Sequence, residues 1–270
     1  MWFFAERVKQ FGCGSCVAFL DKELLALKSP SSKQIDVYNA NNYSTRGHIT
    51  IPFGVFAYFV DMSACCFYRC LYLVNAHLLN TCIVRLKLPS EMSTWKVDGM
   101  GSGAVISVSS SHDLLVMCDK SNKLKLFSTD GLLRMTVDLQ PDIVNVTSAV
   151  ELIPGHYLVT HGKYSHELHQ VCLVNSEGNI VHAYGGFKGS YLLDCPMAVV
   201  VDGDGFVYVI EEQTNRLIVL NPTLEYMHCI QHDLPSGSRR MKLDKPFKRI
   251  FVRHIYPRNV AVHCMTMFEI

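Results

Sequence analysis

The sequence predicts an all-β fold, a six-bladed β-propeller of four-stranded antiparallel blades. Three observations support this prediction. Residues 196–222 read as an antiparallel meander, its third strand recurs at intervals of 41 to 48 residues, and the first and second strands recur in step with it. Units of about 40–50 residues with four short strands each are typical of propeller blades. We therefore expect one ring to account for nearly the whole chain.

The meander in residues 196–222 contains three apolar runs separated by polar connections. Val, Tyr and Ile dominate these runs, which favours strands over helices. The first connection, residues 202–205, consists of two Asp-Gly pairs. Turns that fit the twist of an antiparallel pair need positive φ angles, and Gly adopts them at little cost. We therefore expect strands joined by tight turns.

The same pattern places the strands of the other units. Predicted first strands are residues 17–20, 57–60, 105–108, 148–152, 197–201 and 241–243. Predicted second strands are residues 23–27, 70–74, 114–118, 156–160, 206–210 and 249–253. Third strands are predicted around Ile35, Ile83, Leu124, Val171, Leu217 and Val260. Less regular patterns predict fourth strands at residues 44–51, 93–97, 133–139, 180–184 and 226–232.

These strands define six blades within a single domain. The predicted blades are residues 15–54, 55–100, 101–144, 145–192, 193–236 and 237–270. One small sheet cannot bury both of its faces alone, whereas radial packing covers both. The ring must also close. Either residues 2–8, within the segment 1–14, add the outer strand of the last blade, or residues 264–268 supply that strand.

The composition excludes partners that are recognised through overall charge. The net charge is +1 and the pI is about 7.6, so no global field favours nucleic acid. We expect no DNA partner. The apolar stretch 55–74 is interrupted by Asp61 and Arg69, so we also expect no membrane span.

Eleven cysteines are scattered through the chain, most of them inside apolar runs. An odd number of cysteines in strands fits free thiols in a reducing compartment better than a disulfide framework. Residues 1–14 lack the basic and apolar regions of a secretory signal. Cys13 and Cys16 form a lone CxxC pair without a second pair at zinc-ribbon spacing. We therefore predict a cytoplasmic protein with no metal site and no cofactor.

The meander also carries a sequence motif of a proline, two apolar strands and an Asn-Arg pair. Its residues are Pro196, Asp202, Gly205, Tyr208, Val209, Asn215, Arg216 and Leu217. This segment resembles an NHL repeat. It departs from the NHL pattern after the second strand, where Glu211 and Glu212 stand in place of the usual Asp. One unit matches well, and the third unit, around residues 114–127, is similar.

A glycine-rich segment, residues 185–190, precedes this repeat. The arrangement is similar to the C-terminal propellers of tripartite-motif (TRIM) NHL proteins. In that family the propeller recognises proteins or RNA and is attached to a RING, a B-box and a coiled coil. This sequence contains neither paired Cys/His zinc modules nor heptads, so ubiquitin-ligase activity is not implied. The chain is either an isolated propeller or part of a longer protein.

We expect structural roles for most of the motif. The Arg216 guanidinium could brace the Asp202 carboxylate or a loop carbonyl through two hydrogen bonds. Acidic residues close four of the predicted first strands, where short acidic side chains are typical turn acceptors. These residues are Asp21, Asp61, Asp202 and Asp244.

Basic residues concentrate in the last unit. They are Arg239, Arg240, Lys242, Lys245, Lys248, Arg249 and Arg253. Alternate residues of a strand share a face, so part of this run could form a positive patch beside Phe247 that binds single-stranded RNA. The alternative is an ordinary solvated edge of the last blade. The candidate partner- or RNA-binding residues are Arg239, Arg240, Lys242, Lys248 and Arg249.

Four histidines flank a loop of the fourth unit, namely His156, His161, His166 and His169. Their spacing matches no established zinc pattern, so we expect a solvated loop that faces a partner. The sequence also contains no nucleophile with an assignable base. No catalytic residue is predicted.

These observations predict a non-enzymatic interaction scaffold that binds a protein partner, with single-stranded RNA as a second class of ligand. The alternative is a metal-dependent hydrolase or lyase, because this architecture also resembles six-bladed lactonases that hold calcium in the central channel. Such a site needs unlike residues from separate blades, with oxygen ligands for calcium or histidines for zinc.

Overall fold

The computed structural model describes residues 7–11, 16–52, 54, 57–89, 91–118, 121–162, 168–187, 193–231, 234–235, 237–256 and 262–270. These residues form 24 strands and no helix. The strands make six four-stranded antiparallel sheets, which confirms the predicted all-β, six-bladed propeller. None of the described segments forms a helix of the length and hydrophobicity that crossing a bilayer requires.

The strand bounds follow the period seen in the sequence. The first described strand is β1 (Arg7–Phe11). Blade 1 contains β2 (Cys16–Leu20), β3 (Glu23–Leu27), β4 (Gln34–Asn39) and β5 (Thr45–Thr50). Blade 2 contains β6 (Phe59–Cys65), β7 (Cys70–His77), β8 (Asn80–Lys87) and β9 (Glu91–Trp95). Blade 3 contains β10 (Val105–Val108), β11 (Leu114–Met117), β12 (Lys123–Phe127) and β13 (Leu133–Asp138).

The second half of the ring repeats this order. Blade 4 contains β14 (Ser148–Ile153), β15 (His156–His161), β16 (Leu168–Asn175) and β17 (Ile180–Phe187). Blade 5 contains β18 (Pro196–Val201), β19 (Val207–Glu211), β20 (Arg216–Leu220) and β21 (Tyr226–Gln231). Blade 6 contains β22 (Ser238–Asp244), β23 (Arg249–Tyr256) and β24 (Val262–Glu269).

Blade 6 takes its outer strand from the start of the chain. The order in this sheet is β1-β24-β23-β22, and β1 pairs antiparallel with β24. The predicted centre of the third strand, Val260, lies outside the described residues, and the strand that pairs with β23 is β24. Residues 264–268, the second candidate for the outer strand, belong to this third strand. The ring is therefore closed by pairing between its two terminal strands.

Six hydrophobic clusters fill the six interfaces between neighbouring blades. Strand β7 explains why the second strands are continuously apolar in the sequence. Leu71 and Leu73 pack towards blade 1, whereas Cys70, Tyr72 and Val74 pack towards blade 3. Because side chains alternate between the faces of a strand, a strand buried on both sides has no solvated position.

The turns between first and second strands and those between third and fourth strands lie on one face of the ring, here called the turn face. Backbone hydrogen bonds connect the two kinds of turn directly. The N–H of Ala40 donates to Lys22 O at 2.9 Å in blade 1, and the N–H of Leu88 donates to Arg69 O at 3.0 Å in blade 2. The opposite face carries the turns between second and third strands and the connections between blades.

Candidate functional site

A central channel follows the ring axis and contains a cavity of about 390 Å³. Residues from all six first strands (β2, β6, β10, β14, β18 and β22) line this cavity. Its mouth lies on the turn face, where Asp21, Cys66 and Lys245 border it. The rim of the channel is therefore made of turns, which are the parts of a fold that most often carry binding residues.

An ion pair inside the channel connects blade 6 to blade 2. Lys242 Nζ lies 3.3 Å from Asp61 Oδ1, and Asp61 Oδ2 accepts a hydrogen bond from the N–H of Ile106 at 2.9 Å. Lys242 also donates to Ile106 O at 3.3 Å. The prediction that Asp61 ends a first strand and accepts in a turn is wrong, because β6 continues to Cys65 and Asp61 is buried within it.

Around Asp61, the described lining of the channel contains more cations than carboxylates. Arg240 donates to Gly103 O at 3.3 Å and Arg253 donates to Val60 O at 3.1 Å. With Lys242 they place three cations around the Asp61 carboxylate. Calcium needs several oxygen ligands, and the described residues contain no group of three or more His, Cys, Asp or Glu that could hold a metal ion. The described residues around Asp61 therefore do not fit the calcium or zinc site in the central channel that the sequence left as an alternative.

The structure separates the candidate basic residues of β22. The Arg239 guanidinium extends towards blade 5, where Nε lies 2.8 Å from Glu212 Oε1. Arg240 and Lys242 line the central cavity instead. Alternation along β22 thus sends neighbouring cations to different places, and these three side chains do not form one patch.

Of the two other candidates, Lys248 lies in the turn between β22 and β23, and Arg249 is the first residue of β23. The Arg249 guanidinium packs over the rings of Tyr43 and Phe247, with its Cζ 5.3 and 4.9 Å from the ring centroids. It also donates to Ala40 O at 2.8 Å. Lys248 keeps 65% of its side-chain surface exposed on the turn face. Of the five candidate residues, Lys248 is the one most accessible to a partner.

The NHL-like motif builds the turn between β18 and β19. Asp202 Oδ1 accepts the backbone N–H of Phe206 at 2.9 Å, and Asp202 Oδ2 accepts the hydroxyl of Tyr208 at 3.0 Å. Burial, followed by the nearby Asp202 charge, raises the pKa of Tyr208, so this hydroxyl stays a donor. Gly205 has φ = 86°. The motif residues of this turn thus have structural contacts.

The Arg216 guanidinium, which we expected to brace Asp202 or a loop carbonyl, contacts Glu211 instead. Arg216 Nε donates to Glu211 Oε2, and the Glu211 side chain is completely buried. Asn215 precedes it with φ = 51°, and Pro196 begins β18. The expectation for Asp202 is therefore wrong. The Glu that departs from the NHL pattern is itself the partner of the motif arginine.

Asp244 ends β22, as the sequence predicts, and its carboxylate is almost completely buried. It accepts a hydrogen bond from the backbone of Phe247. Burial raises the pKa of Asp244, and the opposing effects of Arg249 and the Phe247 hydrogen bond are smaller. This buried acid thus has a structural contact in the turn that follows β22.

The histidines of blade 4 do not form an exposed group. His161 and His169 are fully buried, and His169 Nδ1 lies 2.9 Å from Asp194 Oδ1. His156 is half-buried, whereas His166 lies outside the described residues. Residues 163–167 of the predicted partner-facing loop lie outside the described residues, and the two histidines that flank them, His161 and His169, are buried.

Three rings from two neighbouring blades meet on the turn face, and we name them the aromatic cluster: Phe67, Tyr68 and His112. The rings of Phe67 and His112 are stacked, with centroids 4.4 Å apart and an interplanar angle of 6°. Tyr68 meets Phe67 edge to face at 4.8 Å. Phe67 nevertheless remains 69% exposed and Tyr68 41% exposed. The cluster is a pre-formed apolar feature that solvent can reach.

The aromatic cluster is not predicted from the sequence. Phe67 and Tyr68 belong to the apolar stretch 55–74, yet they occupy the turn between β6 and β7, where polar residues are usual. Two adjacent aromatic residues in a predicted turn were the available signal. The contact with His112 was not predictable from local pattern, because it joins turns of two different blades.

Comparisons with known proteins identify the fold alone. No protein-family model matches the chain, and no curated protein matches it. Among solved structures, hydrazine synthase from Kuenenia stuttgartiensis aligns with a TM-score of 0.61 and 13% identity, over 88% of this chain and 73% of that one.

Two structures of virginiamycin B lyase from Staphylococcus aureus are also similar. A catalytically inactive variant with quinupristin gives a TM-score of 0.65 and 11% identity, over 95% of this chain and 80% of that one. A selenomethionine form gives a TM-score of 0.63 and 9% identity, over 97% of this chain and 88% of that one. At these identities the likeness extends to the propeller architecture and no further, since one fold carries many functions.

Proposed function

We propose that this chain is a non-enzymatic interaction scaffold that binds a protein partner through its turn face. In this proposal it is an NHL-type propeller and resembles the recognition domain of tripartite-motif proteins. The observation that carries the proposal is the aromatic cluster. Phe67, Tyr68 and His112 are held together across two blades while two of the rings stay largely exposed.

Exposed aromatic side chains favour protein recognition for two reasons. Aromatic residues bury a large area with few rotatable bonds, and they are enriched at protein interfaces. Stacking on His112 also fixes the Phe67 ring before a partner arrives, which reduces the entropy lost on binding. Leu132 and Leu133, at the turn between β12 and β13, add exposed apolar surface to the same face.

Single-stranded RNA is less well supported as the ligand. Aromatic rings can stack on unpaired bases, but RNA also requires a groove of positive charge along its backbone. Arg239 pairs with Glu212, whereas Arg240 and Lys242 line the central cavity and not the turn face. The cations that remain on the turn face, among the residues described, are accompanied by more numerous acids.

An enzymatic function in the channel has weaker support still. The described lining of the cavity includes no histidine. Of its three carboxylates, Asp61 is paired with Lys242, Asp244 is buried at the end of β22, and Asp21 lies at the mouth. A channel metal would raise the melting temperature through binding to the native state. A melting temperature that falls on addition of a chelator would therefore favour the hydrolase or lyase alternative over our proposal.

The proposal can be tested by photo-crosslinking in cells. A benzophenone amino acid at position 67 is expected to capture a protein partner through the turn face. The matched control places the same probe at Leu79, in the same blade on the opposite face, where the side chain is 73% exposed. Capture from both positions alike, from Leu79 alone, or of RNA instead of protein would contradict the proposal.

A further inference from the structure

The charged residues in the turns of the turn face are divided into two sectors. Blades 3, 4 and 5 form the acidic sector. The charged residues in its turns are Asp113, Asp130, Glu177, Asp202, Asp204 and Glu225. Blades 6, 1 and 2 form the basic sector, whose described turns carry one acid, Asp21. Its basic turn residues are Lys22, Arg69, Lys245 and Lys248.

Strand residues neutralise this division only in part. Arg134 lies 3.2 Å from Asp113, and Arg85 lies 3.3 Å from Asp130. Three acids, Glu177, Glu225 and Asp202, have no cationic side chain of the described residues within ion-pair distance. In the basic sector, Lys22, Arg69 and Lys245 likewise have no acidic partner within that distance among the described residues, and all three are exposed. The two sectors therefore keep opposite charge at the surface although the whole chain is nearly neutral.

The sectors meet along two seams on opposite sides of the ring. At the seam between blades 2 and 3, Phe67 and Tyr68 of the basic sector contact His112 of the acidic sector. At the seam between blades 5 and 6, Lys248 Nζ lies 4.0 Å from Asp204 Oδ2. The aromatic cluster thus lies on the line that divides the charges.

We propose that the turn face binds a second copy of this chain, face to face, about a twofold axis along the line through the two seams. This inference rests on the proposed function and names the partner. Rotation about that axis places each acidic sector over the basic sector of the other copy. The same rotation brings the aromatic cluster of one chain against the aromatic cluster of the other chain, as in isologous interfaces.

Charge and apolar area would have different roles in this dimer. Complementary sectors steer the encounter of the two copies and fix their relative orientation. Turning one copy about the ring axis would place sectors of like charge over each other. The aromatic clusters supply the desolvated contact near the dividing line. The attraction between exposed sectors is screened by salt, with a Debye length of about 30 Å at 0.01 M and about 3 Å at 1 M ionic strength.

The test is sedimentation velocity of the purified full chain at about 0.01 M and about 1 M ionic strength. We expect a dimer at micromolar concentration in low salt and at least about a tenfold weaker association in high salt. A chain that stays monomeric in low salt would overturn the inference.

Charge reversal makes the test specific. One variant, Lys22→Glu with Arg69→Glu and Lys245→Glu, makes the whole face acidic. The other, Glu177→Lys with Asp204→Lys and Glu225→Lys, leaves three acids against three lysines in the turns of the acidic sector and so removes its net negative charge. We expect each variant to be monomeric alone and the equimolar mixture to form a heterodimer, with melting temperatures confirming that both fold. Dimers of either variant alone, or no association in the mixture, would overturn the inference.

The outcomes also separate this inference from the proposed function. If the wild-type chain is monomeric but the probe at Phe67 captures a different protein, the turn face remains a recognition surface and the second copy is excluded. If the probe captures nothing and the chain is monomeric, both proposals fail.

Discussion

The Asp61 carboxylate is buried in the channel wall, where an uncompensated charge would cost several kcal/mol. Three groups compensate it, the N–H groups of Met62 and Ile106 and the ammonium group of Lys242. Because these groups come from three different blades, the ion pair also fixes the positions of the first strands relative to one another. We interpret it as a structural contact of the ring.

Replacement of this carboxylate should therefore destabilise the protein. Asp61→Asn leaves the Lys242 charge without its counterion, and we expect a loss of about 2–3 kcal/mol in the free energy of unfolding, below the 3–5 kcal/mol of fully buried pairs because Lys242 still reaches solvent. Guanidinium chloride unfolding measures this loss. The double variant Asp61→Asn with Lys242→Met should recover at least half of this loss. If the free-energy losses of the two single variants simply add in the double variant, that result would argue against an ion-pair role.

At the scale of the element, each turn between a first and a second strand contains one residue in the left-handed region. These residues are Asp21, Arg69, His112, Gly155, Gly205 and Lys248, with φ between 49° and 86°. Only two of the six are glycines. The other turns hold a side chain in a conformation that costs about 1–2 kcal/mol relative to the right-handed region.

Exchanging the residue at this turn position should change stability in opposite directions in two neighbouring blades. Lys248→Gly removes the left-handed strain and a weak surface ion pair. We expect the free energy of unfolding to rise by about 0.5–1 kcal/mol, after the entropy cost of Gly. Gly205→Ala should lower it by about 1 kcal/mol. Chemical denaturation checks both, and destabilisation by Lys248→Gly would show that the lysine contact outweighs the strain.

The strands are predictable from the sequence because each strand repeats a local pattern at a fixed interval. The partners of individual side chains are much less predictable. Arg216 was expected to reach Asp202 and contacts Glu211, and Asp61 was expected in a turn and lies inside a strand. These contacts depend on strand register and on the neighbouring blade, neither of which is encoded in a local pattern. The aromatic cluster and the charge sectors arise from the ring itself, so no single unit predicts them.

At the scale of the whole molecule, closure of the ring depends on pairing between β1 and β24. Without β1 the outer edge of β24 would present unpaired backbone groups, which promote aggregation. Each blade also has a hydrophobic cluster with each of its two neighbours. A change in blade 6 is therefore expected to affect blades 1 and 5 as well.

Deletion of residues 1–11 tests the importance of closure. We expect a lower melting temperature and increased light scattering on heating, because blade 6 loses its outer strand. The matched control lacks only residues 1–6 and keeps β1. Equal melting temperatures for the two deletions would contradict a role for β1 in holding the ring closed.

Closure by the first strand also has a consequence during protein synthesis. Among the described strands, β1 is made first and its partner β24 is made last. At about 5–20 residues per second, β1 waits roughly 10–50 s for its partner. Blades 1 to 5 can form as they emerge, since each is contiguous in the chain, but blade 6 has to wait until β24 has emerged. During that interval the unfinished ring carries an open edge, and chaperones near the exit tunnel would meet the protein in this form.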